Sequence, residues 1–131
     1  MNQMIAVQEQ GSRHPFHSYS DDQIVSMFLQ TIGGESEYTL RNYSRSIRLF
    51  RQFTSYKPLR NVTWQDIEWF KIGLSQGFCS PSRKSLSPAS VANFLAPLRS
   101  LYRWGSDPNI GIFSHNPTTC VRSPKVPVNS K

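Results

Sequence analysis

Apolar residues recur at intervals of three and four in four stretches of the chain, the period of an α-helix with one side turned to a core. The first stretch carries Ile24, Met27 and Phe28 and predicts a helix over 21–30. Ser20 is placed as its N-cap, Gln23 can complete a capping box, and Gly33-Gly34 ends it. In the second stretch Leu40, Tyr43, Ile47 and Phe50 step through a helix that starts at Glu37 or Thr39 and reaches Phe53. Residues 55–61, with Pro58, break the pattern. A third helix follows Thr63, an N-cap with Asp66 at the third helical position, where a carboxylate suits the positive end of the helix dipole. Its apolar side is Trp64, Ile67, Phe70 and Leu74, Gly77 stops it, and Trp69 points elsewhere. Ser87 as N-cap and Pro88 at the first helical position announce the fourth helix. That helix has a broad apolar face of Val91, Phe94, Leu95, Leu98, Leu101 and Tyr102, with Gly105 as a stop. Pro97 lies inside it, removes a hydrogen bond to the Asn93 carbonyl, and predicts a kink.

The polar positions have a pattern of their own. Arg41, Arg45 and Arg48 step by four and three, which at about 100° per residue makes a stripe turned well away from the apolar side of the second helix. On the fourth helix a second face holds Ala92 and Ala96, then Arg99 and Arg103. The Ser-rich stretch 76–87, with Arg83 and Lys84, reads as a mobile basic loop.

With 131 residues, 37% of them hydrophobic, the chain has material for one modest core. The expected architecture is all-α: a compact orthogonal bundle of four to five helices with flexible N- and C-terminal tails. It divides into a tail over 1–18, a helical domain over 19–113, and a linker over 114–131 that is rich in proline. No stretch approaches the ~20 apolar residues of a membrane span, and the first ten residues lack the build of a secretory signal.

Charge sharpens the picture. Residues 1–38 hold one basic and five acidic residues, a net of −4, whereas 39–131 hold fourteen basic and three acidic ones, a net of +11. A surface this one-sided concentrates polyanions, of which nucleic acid is the commonest large one.

Self-contained catalysis finds no support. Gly33-Gly34 lacks the Lys-Ser or Lys-Thr of a phosphate loop. Cys79 and Cys120 lie far apart without paired histidines, so no metal and no cofactor is expected; His14 and His17 are spaced like ligands, but no further ligands follow. Two free thiols in a reducing cytoplasm fit the cysteine count better than a bridge. A Cys79–His115 pair is of a kind that chance supplies often. Asp66 and Glu68, two apart on a helix, diverge.

The order of these signals matches a family. Thr39, Tyr43 and Leu49-Phe50 resemble the second helix of the core-binding domain of phage-integrase-type tyrosine recombinases. Val62-Thr63-x-x-Asp66-Ile67 resembles the start of its third helix, and SPASVANFLAPLRSLYRW over 87–104, with Leu98-Arg99 and Tyr102, its fourth. Asn116-Pro117 and Pro124-Lys125 are similar to the punctuation that leads into the catalytic domain, so the likeness covers about 20–127. It implies a SAM-like helical domain that forms one half of a clamp on double-stranded DNA, with recombinase protomers assembled there. The setting would be the cytoplasm of a prokaryote or of the host of a phage or mobile element. A C-terminal catalytic domain would supply the nucleophilic tyrosine. Tyr19, Tyr38, Tyr43, Tyr56 and Tyr102 lack the His-x-x-Arg surroundings of that nucleophile, so no strand cleavage is expected of this chain, read as an isolated or truncated N-terminal domain. Helices two and four would face the major groove. Thr39, Arg41, Arg45, Arg48, Ser90, Arg99 and Arg103 would meet DNA there, with Arg83 and Lys84 reaching phosphates from the loop. A helical protein–protein module with no nucleic-acid role is the alternative, and Trp69 fits it.

Overall fold

The structure, a computed structural model, describes residues 19–125. The tail over 1–18, with His14 and His17, and the last residues, 126–131, lie outside the described residues. Four α-helices follow in chain order: α1 (Asp21–Thr31), α2 (Glu37–Phe53), α3 (Trp64–Gln76) and α4 (Pro88–Ser106), with a 3₁₀ turn at Leu59–Asn61 between α2 and α3. Among the described residues there is no strand.

Local chemistry sets the helix starts. The Ser20 hydroxyl accepts the Gln23 N–H and the Gln23 side chain accepts the Ser20 N–H, closing the capping box. Thr63 and Asp66 form the same reciprocal pair at α3, and Ser36 and Ser87 cap α2 and α4. Gly77 ends α3 in the left-handed region, φ 91°; a Cβ there would come within 2.8 Å of the Lys84 main chain.

Helix α4 packs against each of the other three, and α1 also meets α2. The core gathers Ile24 and Phe28 from α1, Ile47 and Phe50 from α2, and Ile67, Phe70 and Leu74 from α3 around the apolar face of α4. Phe50 meets Phe70 edge-on, with centroids 5.2 Å apart. Tyr102 is buried and donates its hydroxyl to the Leu59 carbonyl at 2.8 Å, which pins the 3₁₀ turn to α4.

Helix α4 continues through Pro97, whose ring is buried; Asn93, whose carbonyl loses the bond, is an exposed residue. Three expectations change. Gly105 does not stop α4 but lies inside it, where a Cβ would sit 2.3 Å from Phe113. Trp64 is 49% exposed instead of facing the core, because it is the first helical residue and the buried stripe starts a turn later at Ile67. The basic loop is tied down: Ser80 is buried and donates its hydroxyl to the Lys84 carbonyl at 2.7 Å, and the Leu86 N–H reaches the Leu74 carbonyl.

The packed body also passes the expected boundary at 113. Pro117, Thr118 and Val121 are buried, within the stretch read from sequence as linker.

Candidate nucleic-acid interface

Helix α2 turns Ile47 and Phe50 inward and leaves Arg41, Arg45 and Arg48 exposed, as the two stripes require. The three arginines line one surface concavity of about 430 Å³ together with Tyr38, Asn42 and Ser44. Glu37 lies 3.8 Å from Arg41, an i,i+4 pair in open solvent that adds little. Among the described residues no carboxylate comes within ion-pair distance of Arg45, Arg48, Arg83, Lys84 or Arg103.

Arg45 is held by a different force. Its guanidinium sits 5.2 Å from the centroid of the Phe94 ring of α4, a cation–π contact that covers the ring and steadies the charge at the seam between the helices. Farther along the seam the Tyr43 hydroxyl reaches the Ser100 hydroxyl at 3.5 Å. Arg103 lies one turn beyond Ser100 and is exposed.

Thr39 and Ser90 occupy equivalent places, each three residues past the N-cap serine of its helix. The Thr39 N–H donates to the Ser36 hydroxyl at 3.2 Å and the two hydroxyls lie 3.0 Å apart. The Ser90 N–H donates to the Ser87 hydroxyl, which in turn donates to the Ser90 hydroxyl, both at 3.2 Å. Both groups therefore sit in capping networks at positive helix ends. Arg83, in the left-handed region at φ 63°, shares a second hollow with Leu49, Gln52 and Phe53, so the loop meets the C-terminal half of α2. Lys84 is exposed beside it.

Arg99 is placed otherwise. Its guanidinium donates to the carbonyls of Thr118 and Val121, both at 2.8 Å, and to the Ser123 hydroxyl at 3.1 Å. The sequence wheel grouped it with Arg103, but its donors are spent on the protein itself. Arg51, at the C-terminal end of α2, is likewise committed, to Asp22 at 2.8 Å and to the face of Tyr56.

Two residues of the exposed face went unnoticed in the sequence. Tyr38, 71% exposed, and Asn42 stand on the arginine side of α2. The signal was present, since 38, 42 and 45 step by four and three like the arginines.

The described residues contain no group of His, Cys, Asp and Glu able to hold a metal ion, and no helix long and apolar enough to cross a membrane. Burial pushes the Cys79 thiol up to about 11, away from nucleophilic use.

No curated protein and no solved structure matches the chain. A family model does, that of the phage integrase N-terminal SAM-like domain, over residues 26–107, which takes in α2 and α3 whole and all of α4. An all-helical body of this helix order, matched over most of its length, belongs to the phage integrase family as its N-terminal SAM-like domain.

Proposed function

We propose that this domain grips duplex DNA through the basic side of α2, with Arg103 of α4 and the Arg83–Lys84 loop at its flanks. On this reading it is the non-catalytic half of a tyrosine-recombinase clamp. The observation that carries the reading is the row Arg41, Arg45 and Arg48 around one concavity, with acid opposite only Arg41 and at long range. Guanidinium groups in such a row suit phosphates spaced along a backbone, and any one can take a guanine edge in a bidentate pair. Tyr38 and Asn42 would add hydrogen-bonding groups within the same concavity. Thr39 and Ser90, at helix N-termini, would each favour a phosphate. Strand cleavage would belong to a catalytic domain, and the partners would be DNA and further recombinase protomers. The cytoplasm is the compartment this implies.

Fluorescence anisotropy with a labelled duplex tests the assignment. Arg48→Ala should weaken binding about three- to tenfold at low salt with no change in melting temperature. Arg45→Ala should weaken it similarly and cost up to ~1 kcal/mol of stability, because it also uncovers Phe94. Unchanged affinity in both variants would remove α2 from the interface.

A second reading has one observation of its own. Trp69 on α3 is 59% exposed, a large apolar surface of the kind protein partners use. A protein-docking module would show no saturable, salt-sensitive binding to duplex DNA.

A further inference from the structure

We infer that residues 112–123 are a strap built into the domain and that Arg99 is the positioning residue that locks it, so that the chain leaves the body at a set place and heading. The strap begins one turn after α4 ends at Ser106. The Gly105 carbonyl accepts the N–H groups of Ile112 and Phe113 at 3.0 and 2.9 Å, and the Phe113 ring packs 4.6 Å from that of Tyr102. At residue 116 the chain turns: the Asn116 side-chain oxygen accepts the Thr118 N–H at 2.9 Å and the Thr118 hydroxyl at 2.7 Å. The turn presents two carbonyls, Thr118 and Val121, to one guanidinium, and Thr118 and Val121 are each only 3% exposed. From α3, the Lys71 ammonium reaches the Arg122 carbonyl at 3.0 Å.

The chemistry of the grip assigns its role. All but one of these bonds from α3 and α4 end on main-chain carbonyls, so they fix the path of the backbone whatever side chains it carries. The guanidinium sets two separate nitrogens on two carbonyls, Nη1 on Thr118 and Nη2 on Val121; a lysine also has several donors, but they radiate from one nitrogen and do not reproduce that spacing. Because α4 also carries Phe94 under Arg45, the exit of the chain is held in one geometry with the exposed face of α2. Arg99 thus acts through the strap and not on a ligand, and this holds whether or not the α2 face meets DNA.

Limited trypsin digestion of the full chain, read together with amide hydrogen exchange, tests this. The Arg122–Ser123 bond lies inside the locked segment, and the Lys125–Val126 bond just beyond it serves as the internal control. In Arg99→Ala, cleavage after Arg122 relative to Lys125 should rise about tenfold, with a similar rise in exchange at the Val121 amide and none at core amides of α1 and α2. Arg99→Lys keeps the charge but not the two-nitrogen fork and should release the strap in large part, and Lys71→Met should loosen it partly. Three outcomes overturn the inference: unchanged cleavage and exchange in Arg99→Ala, rescue by lysine, or loss of protection throughout the domain. A duplex affinity that falls in Arg99→Ala as much as in Arg48→Ala would make Arg99 a DNA contact and overturn it too.

Discussion

Ser46 illustrates how much one atom can decide. It is fully buried on α2 between Arg45 and Ile47, and its hydroxyl has no hydrogen-bond partner. A small side chain fits this fully buried place, but the oxygen brings a desolvation cost with no return. Ser46→Ala keeps the size and removes the oxygen, so it should raise stability by up to ~1 kcal/mol, read as a rise in melting temperature of several degrees. Residue-level roles were legible where angle around a helix is enough: Tyr102 in the core and Arg45 and Arg48 outside follow from spacing alone. They were not legible where the partner lies far along the chain. Arg99 shares a wheel face with Arg103, and only the return of residues 118–123 to α4 separates a clasp from a free charge.

At the scale of elements, the caps were the most readable feature, because each is settled within four residues. The Thr63–Asp66 box has a measurable consequence. Burial of the Asp66 carboxyl alone would raise its pKa, but hydrogen bonds from Lys57, at 2.8 Å, and from the Thr63 N–H outweigh that and hold it below its ordinary value of 3.8. A pKa lowered by folding means that the unfolded chain takes up the proton first as pH falls. This contribution is therefore whole above about pH 4 and is lost as pH drops through the folded value. Asp66→Asn should be less stable than the parent at pH 7 and should lose less further stability on acidification, as melting curves from pH 7 to 2 would reveal. The loops were less legible than the helices. Gly105 looked like a helix stop because glycine usually is one there, yet its reason is the Phe113 ring that docks over it. Gly105→Ala should cost roughly 1–3 kcal/mol in chemical denaturation, since the ring has to move out of a packed core. A gain in stability from the better helix former would show that the strap yields easily.

For the molecule as a whole, the division of charge seen in the sequence becomes a division of labour among the cations. Arg51, Lys57 and Lys71 are paired with acids, and Arg99 is absorbed by carbonyls. Among the described residues the proposed face keeps Arg45, Arg48, Arg83, Lys84 and Arg103 clear of acids, with Arg41 weakly engaged, while Arg122 and Lys125 are exposed at the end of the described chain. Net charge attracts DNA from any direction, but only cations that touch phosphates displace bound counterions, and displaced ions set the salt dependence. Five such contacts predict a slope of log affinity against log salt near −4 to −5. The double variant Arg45→Ala/Arg48→Ala should flatten that slope by about 2, roughly 0.9 for each lost contact. Arg99→Lys, which keeps its charge but loses its fork, should leave the slope unchanged. If instead each lost positive charge lowered affinity equally and the slope stayed the same, attraction would be a property of the whole field. The α2 face would then have no special standing. A flattened slope confined to the α2 variants would mean that the duplex rests against the concavity between Tyr38 and Arg48, on the side of the domain held in register with the exit of the chain.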